Sequence, residues 1–258
     1  MPDDQPFSQQ FSLFDASSES PTGPAASPKS TAKKANPSAD PIALDFDRSQ
    51  IPINVKMPIP PGTYRDMDDM SAHCESCDRC VLGSTRTHAV VSRGNPNADI
   101  LIIGEGPGEN EDLQGKPFVG KSGQLLDKIL ESVKLTEDDI FVCNIVKCRP
   151  PGNRKPSKDE MEACRPYLME QIRLVNPKII ILTGASSIDG LFQEKSVGIT
   201  KIRGQWRDWN GIACMPIFHP SYLLRNQSRD QGSPKWLTWQ DMQEVRRMFD
   251  ELKAVEAF

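Results

Sequence analysis

Residues 99–108 read DILIIGEGPG, a short apolar run that ends in a glycine-rich loop. An apolar run of this length, bounded by glycine, predicts a strand that is buried on both faces. Comparable runs recur at 140–146, 178–182 and 212–218, and segments with helical spacing lie between them. Strands that alternate with helices are typical of a parallel sheet covered on both faces. We therefore predict an α/β fold, a three-layer αβα sandwich around a central four-stranded, mostly parallel sheet.

Apolar residues at helical spacing predict four helices between and after these strands. They cover about 123–135, 157–175, 185–192 and 236–255. The second opens with Ser157-Lys-Asp-Glu160, the capping-box pattern in which each side chain caps the backbone of the other residue. In such folds, function lies on the loops beyond the carboxyl ends of the strands. Those loops begin here at Gly104, Lys147, Thr183 and His219.

The first 70 residues differ in composition from the rest of the chain. They are rich in Pro, Ser, Asp and Ala and have no sustained period, which predicts a disordered arm over 1–70 before one domain over 71–258. The net charge of −4 comes from an acidic excess in the arm, so bulk charge does not favour a nucleic-acid partner. No export signal or membrane-length apolar stretch is visible. We expect a cytoplasmic monomer without a membrane partner.

Five of the seven cysteines have the spacing of metal or cluster ligands. They are Cys74, Cys77, Cys80, Cys148 and Cys164. Thiolates separated by two residues can bind one metal ion or cluster, and ligands from distant segments would hold the arm side onto the domain. Spacing alone leaves an iron–sulfur cluster, a four-cysteine zinc site and buried free thiols as alternatives. Cys143 and Cys214 lie in predicted strands and are expected in the core.

Residues 115–122, GKPFVGKS, match the phosphate-binding pattern GxxxxGK[ST]. That pattern requires a strand directly before its first glycine, and here the acidic segment 109–114 precedes it. Pro117 and Phe118 also suit a phosphate cradle poorly. We predict that this segment does not hydrolyse nucleotides.

Four segments together resemble a known family. GEGPGENEDLQGKPFVGKSGQLLD (104–127), NIVKCRPPGNRKPSKDEMEACRPYL (144–168), RGQW (203–206) and HPSYLLR (219–225) resemble, in order and spacing, family 4 uracil-DNA glycosylases, the iron–sulfur members of the uracil-DNA glycosylase superfamily. The resemblance covers about residues 74–250 and does not extend to the arm. It implies a monofunctional base-excision-repair enzyme that acts on single- or double-stranded DNA. Such an enzyme flips uracil out and hydrolyses the N-glycosidic bond, which leaves free uracil and an abasic site.

The resemblance also implies a [4Fe–4S] cluster. The opening motif of the family is similar to Cys77-x-x-Cys80-x-Leu82-x-x-x-Arg86-Thr87. The ligands that the resemblance implies are Cys77, Cys80, Cys148 and Cys164. Cys74 lies outside the matching frame, and we expect a free thiol there. Arg149, Arg154 and Lys155 follow the third ligand, where cationic side chains could meet DNA phosphates.

The glycosidic bond is out of reach inside a duplex, so the base must enter a pocket. The resemblance implies that Phe118 stacks on the flipped base. It implies that the amide of Asn144 accepts from uracil N3–H and donates to O4, an arrangement that rejects cytosine. It implies that His219 donates to O2 of the departing uracil. Catalysis is thus expected to depend on His219, Asn144 and Glu105.

The glycine-rich loop is expected to line the same pocket. Glu105 and Gly106 would place backbone N–H groups near the base, and Glu111 would crowd a thymine methyl. Gly106 stands where other branches of the superfamily carry a water-orienting Asp, so we expect catalysis to rely on stabilising the uracil anion. No lysine stands in a matched catalytic position, and a Schiff-base lyase step is not expected. The residues expected to fill the gap left by the base are Leu223, Leu224 and Arg225.

Three other hypotheses come from different classes. A non-catalytic iron–sulfur DNA-binding protein on the same scaffold is disfavoured by intact Phe118, Asn144 and His219. A branch that is trapped covalently on its product through an added histidine is disfavoured because residues 149–157 contain no histidine. A zinc-stapled protein-interaction module would leave the pocket residues unexplained.

Residues 10–14, QFSLF, are unusual in the arm because leucine and phenylalanine suit a solvated tail poorly. They resemble the short peptide by which bacterial polymerases and repair proteins dock onto the sliding clamp, with matches at Gln10, Leu13 and Phe14. Leu13 and Phe14 would fill an apolar groove on the clamp while the arm orders locally. The alternative is that these residues fold back onto the domain or occur by chance.

Overall fold

The computed structural model describes residues 59–193 and 198–256, and the clamp-like peptide at 10–14 lies outside them. Within the described residues the strands are β1 (Arg93–Gly94), β2 (Ile100–Gly104), β3 (Ile140–Asn144), β4 (Ile179–Thr183), β5 (Arg207–Trp209) and β6 (Ile212–Ile217). The helices are α1 (Met67–Glu75), α2 (Glu109–Gln114), α3 (Lys121–Ser132), α4 (Lys158–Val175), α5 (Ala185–Phe192), α6 (Ile199–Ile202), α7 (Pro220–Arg225) and α8 (Pro234–Glu256). None of these helices combines the length and the apolar character needed to span a bilayer.

The sheet has the strand order β1-β3-β2-β4-β6-β5. Its four central strands, β3, β2, β4 and β6, are mutually parallel, which confirms the predicted four-stranded core. The edge strands β1 and β5 run antiparallel to β3 and β6 and were not predicted. They are only two and three residues long, too short to show a periodic pattern. Over residues 59–193 and 198–256 the sheet therefore has six strands, and the short edge strands flank the parallel core.

Helices cover both faces of the sheet, which confirms the three-layer sandwich. Leu101 and Ile103 of β2 pack in a core with side chains of α1, α4 and α5. Ile100 and Ile102 point to the opposite face and pack with α3, α7 and α8. All five residues of β2 are buried, as expected for a parallel strand covered on both sides.

The capping box at the start of α4 is confirmed. The hydroxyl of Ser157 accepts from the N–H of Glu160 at 3.2 Å, and the Glu160 carboxylate accepts from the N–H of Ser157 at 2.7 Å. The helix ends at Val175, where Asn176 takes the left-handed conformation with φ 49°. Pro177 follows and lacks the N–H that would continue the helix. Local sequence signals thus set both ends of the longest central helix.

Residues 59–70, which composition assigns to the arm, pack against the domain. Ile59 and Tyr64 are 6% and 1% exposed and belong to the core beneath α4. The carboxylate of Glu170 accepts from the N–H groups of Gly62 and Tyr64 at 2.9 and 3.3 Å. The packed domain thus begins before residue 71, because a few buried side chains fix a segment whose average composition is that of a linker.

The segment before Gly115 is the helix α2, so the strand required by a phosphate-binding loop is absent at this place. Gly115 closes α2 in the left-handed conformation with φ 68°, and Gly120 precedes α3. The N–H groups of Val119 and Gly120 bind the carboxylate of Glu111 at 2.9 and 2.7 Å. Because these donors have a partner within the protein, they are not free to cradle a phosphate, which agrees with the prediction.

Candidate active site

The loops after β2, β3 and β6 meet at one edge of the sheet and enclose a cleft of about 220 Å³. Parallel strands present their carboxyl ends at the same edge, which is where this fold places ligands. The structure brings six of the predicted site residues together in the lining of this cleft. They are Glu105, Gly106, Glu111, Phe118, Asn144 and His219.

Asn144 ends β3 and is 2% exposed. Its side-chain amide makes no hydrogen bond with another described residue. Gly104 is its register partner on β2, and a Cβ there would lie 2.3 Å from Asn144 Oδ1 and 2.6 Å from Cζ of Phe118. Glycine at 104 therefore leaves the space that both side chains occupy. A buried amide with an unused donor and acceptor is suited to bind a polar ligand.

Phe118 forms an apolar wall of the cleft. Its side chain is 6% exposed, and its ring centroid lies 6.2 Å from that of His219 with an angle of 33° between the rings. The backbone of Phe118 has φ 54°, in the left-handed region that bulky residues rarely adopt. Such a conformation persists only where the surroundings impose it and is common at functional sites.

The carboxylate of Glu111 links the loop after β2 to the segment that precedes α3. One carboxylate oxygen accepts from the N–H of Gly108 at 3.1 Å, and the other accepts from Val119 and Gly120 at 2.9 and 2.7 Å. Hydrogen bonds to a carboxylate are among the stronger ones in proteins. The carboxylate is thus fixed in the cleft wall beside the segment that carries Phe118.

His219 caps the N-terminus of α7. Its Nδ1 accepts from the N–H of Ser221 at 3.1 Å and lies 2.7 Å from the hydroxyl of Ser221. A backbone N–H can only donate, so Nδ1 carries the lone pair and the neutral ring carries its proton on Nε2. Burial, with a smaller contribution from Arg225, lowers the pKa of His219 to about 4. At neutral pH the ring is therefore a neutral donor through Nε2.

Glu105 has a partner that the sequence did not reveal. Its carboxylate accepts a hydrogen bond from the hydroxyl of Ser186, a buried residue of α5. No motif marks Ser186, because only the pairing of β2 with β4 brings it near the first loop. The other cleft residues that were not assigned to the base pocket are Pro107, Gly108, Ser122, Pro150, Asn153, Arg154, Pro156 and Ser221.

Of the three residues expected to fill the gap that the flipped base leaves in the DNA, one is buried in the protein core. Leu223 is 1% exposed and packs in the core with α3 and α8, so its side chain cannot enter DNA as predicted. Leu224 is half-buried and Arg225 is exposed. The orientation of a helix as short as α7 is decided by packing, which the sequence pattern does not show.

The basic residues beyond the third predicted cysteine ligand make ion pairs. Arg154 lines the cleft, and its guanidinium binds both carboxylate oxygens of Glu160 at 2.8 and 2.6 Å. Arg149 and Lys155 also pair with carboxylates. These pairs hold the cations in place near the mouth of the cleft.

The four predicted cluster ligands line a second, smaller cavity, and a fifth thiol joins them. Its cysteines are Cys74, Cys77, Cys80, Cys148 and Cys164. Cys74, which we expected outside the set, is 1% exposed. Burial raises the pKa of Cys148 to about 11 and that of Cys164 to about 12, opposed by Arg86 and Lys147 respectively. Among the described residues, no three His, Cys, Asp or Glu side chains are grouped to hold a single metal ion.

The surroundings of these cysteines suit an anionic, sulfur-rich group. The hydroxyl of Tyr167 borders the cavity and is buried beside Cys77 and Tyr64. Arg86 donates to the sulfur of Cys148 at 3.4 Å, and the backbone N–H of Lys147 donates to the sulfur of Cys164 at 3.3 Å. A buried O–H donor and two cationic residues around cysteines fit an iron–sulfur cluster.

Comparison with known proteins gives a consistent result. Residues 91–243 match the family model of the uracil DNA glycosylase superfamily. The chain is 44% identical over 165 residues to a type-4 uracil-DNA glycosylase of Thermotoga maritima, which covers 64% of this chain and 86% of that protein. It is 43% identical over 169 residues to the type-4 enzyme of Saccharolobus solfataricus, with 62% and 78% covered. It is also 35% identical over 134 residues to a DNA polymerase of Bacillus phage SP01, of which only 14% is covered.

Proposed function

The chain belongs to the uracil DNA glycosylase superfamily and, within it, to the type-4 uracil-DNA glycosylases, and we propose that its cleft excises uracil from DNA with Asn144, His219 and Glu105 as the catalytic residues. One observation carries the assignment of the site: an unpartnered buried amide and a neutral imidazole donor line the same cleft. The reaction hydrolyses the N-glycosidic bond of deoxyuridine in DNA. Its products are free uracil and an abasic site, the first step of base excision repair.

Recognition begins when the nucleotide leaves the base stack. Phe118 stacks on the flipped base as the apolar wall of the cleft. Oδ1 of Asn144 accepts from uracil N3–H, and its Nδ2 donates to O4. Cytosine has an acceptor at N3 and a donor at N4, so the same amide would face two mismatched pairs. The carboxylate of Glu111, fixed by three N–H donors, limits the room for a thymine methyl.

Bond cleavage leaves positive charge on the sugar and negative charge on the departing uracil. The Nε2–H of His219 donates to O2 of that anion, and its position is set before the reaction by the Nδ1 bond to Ser221. Ser186 binds one carboxylate oxygen of Glu105, and the second oxygen is available to orient the water that adds to C1′. The proposed reaction has no Schiff-base lyase step, because no lysine stands in a matched catalytic position.

We also propose that Cys77, Cys80, Cys148 and Cys164 hold a [4Fe–4S] cluster. Support comes from the cationic and O–H donors that surround these thiols. Four thiolates could also bind a zinc ion, and the iron and zinc content of the purified protein distinguishes the two. When bound, the cluster would join the loop after α1, the loop after β3 and α4.

The proposed function has a direct test. Protein purified without oxygen is incubated with single-stranded and duplex DNA that carries one uracil, and abasic sites are then cleaved with alkali. We expect scission at uracil and none in matched DNA with thymine at that position. The same sample should contain about 4 iron atoms per chain. Absence of scission in iron-loaded protein would overturn the activity, and zinc in place of iron would overturn the cluster alone.

The segment 10–14 supports a partner, the bacterial sliding clamp, and this proposal rests on sequence because the segment lies outside the described residues. The double substitution Leu13→Ala/Phe14→Ala should abolish capture by immobilised clamp, since these side chains would supply the apolar contacts. Activity on short oligonucleotides should not change, because the cleft is formed elsewhere. Phe7→Ala is the matched control and should bind the clamp normally. Binding that survives the double substitution would refute the proposal.

A further inference from the structure

One buried cation lies between the base cleft and the cysteines. Lys147 is 2% exposed, and its ammonium donates to the backbone carbonyl of Asn144 and to the amide oxygen of Gln171, both at 2.5 Å. No carboxylate of a described residue pairs with it. A buried ammonium held only by neutral oxygens is costly unless a negative charge lies nearby.

The cysteine cavity supplies the place for that charge. Lys147 lines the cavity, its backbone N–H donates to the sulfur of Cys164 at 3.3 Å, and Cys148 is the next residue. Four thiolates on a doubly positive iron–sulfur core leave a net negative charge. Coulomb attraction across a buried site is only weakly screened. The cluster would therefore be the counter-charge that the described protein groups do not provide.

We infer that Lys147 is a positioning residue that couples the charge of the cysteine site to the placement of Asn144 in the base cleft. The inference rests on the proposed function. The ammonium fixes the Asn144 carbonyl at the end of β3, and this sets where the Asn144 side chain meets the uracil edge. Gln171 braces the arrangement, because its Nε2 donates to the carbonyl of Val91 at 2.9 Å.

Lys147→Met removes the charge and keeps most of the side-chain volume. In the iron-loaded protein the midpoint potential of the cluster should become more negative, because loss of a nearby cation disfavours the added electron. The value of kcat/KM for uracil excision should fall by about 10–100-fold, the usual effect of losing a group that supports a metal site. In an Asn144→Ala background the same substitution should add little, because its effect passes through Asn144.

Two further variants serve as a control and as a second test of the inference. Lys178→Met removes an ammonium that pairs with Asp99 at 2.9 Å, before the amino ends of β4 and β2 and away from the cleft. It should leave both the midpoint potential of the cluster and the excision activity unchanged. Gln171→Glu places a carboxylate beside Lys147 and neutralises the ammonium without removing it. The midpoint potential of the cluster should again become more negative. This variant therefore tests the inference even if the Lys147→Met protein does not bind iron.

The outcomes separate the inference from the proposed function. A wild-type midpoint potential in both Lys147→Met and Gln171→Glu would overturn the inference. Independent, multiplying losses from Lys147→Met and Asn144→Ala would overturn it as well, since two unconnected defects behave in that way. Wild-type protein that binds no iron or leaves uracil in place would instead refute the proposed function, and the inference with it.

Discussion

Asn144→Ala should lower kcat/KM for uracil excision by about 10⁴-fold, the largest effect expected of any single substitution in this protein. In the proposed mechanism the amide supplies both hydrogen bonds to the edge of the base, and alanine would leave N3–H and O4 of uracil buried without partners. The residue is 2% exposed at the end of β3, so water cannot easily replace the lost groups. Single-turnover scission of a duplex with one uracil measures the effect directly.

The matched control for this substitution is Asn97→Ala. Asn97 is an exposed asparagine before β2, at the far edge of the sheet from the cleft, and its loss should leave excision at the wild-type rate. Asn144→Asp gives a second comparison, because it keeps the shape but turns the donor for O4 into an acceptor. It should be nearly as inactive as alanine. Activity within tenfold of wild type in a folded, iron-loaded Asn144→Ala protein would remove Asn144 from the mechanism.

The parallel core of the fold could be predicted from sequence because its strands are continuous apolar runs buried on both faces. Ile100–Gly104 shows this directly, since every residue is buried. The edge strands could not be predicted, because pairing with a neighbour defines them rather than any pattern of their own. The segment 59–70 was assigned to the arm for a related reason. Its place is fixed by Tyr64 and by long-range bonds to Glu170, which composition does not record.

The candidate site also contains some residues that the sequence predicts and others that it does not. Residues with a proposed chemical role lie in motifs, and the motifs that contain Asn144 and His219 predicted the residues that line the cleft. Residues that support them do not stand out in sequence. Ser186 reaches Glu105 across 81 positions, and Gln171 reaches Lys147 across 24. The burial of Leu223 depends on how α7 lies against α3, which no short pattern encodes.

His219→Ala should lower kcat by about 10²–10³-fold with a small change in KM, the pattern for a donor that acts mainly on charge developed in the transition state. The wild-type enzyme should show no inflection in kcat near pH 6.5, because burial lowers the pKa of His219 to about 4. Rates measured between about pH 5.5 and 8 test this point. Ser221→Ala is a graded companion variant. It keeps the backbone N–H bond to Nδ1 and loses only the hydroxyl contact, so its loss in kcat should be much smaller.

The same pKa predicts how stability depends on pH. The imidazole has an ordinary value of 6.5 when unfolded and about 4 when folded, so the unfolded chain takes up the proton first as pH falls. The contribution of His219 to stability is complete above pH 6.5 and is lost between pH 6.5 and 4, a change of roughly 3 kcal/mol. His219→Gln cannot titrate, so the difference in unfolding free energy between wild type and this variant should change by that amount across the same window. Urea unfolding at several pH values measures it. If that difference stayed constant with pH, the ring would titrate normally in the folded protein, which would contradict the lowered pKa of His219.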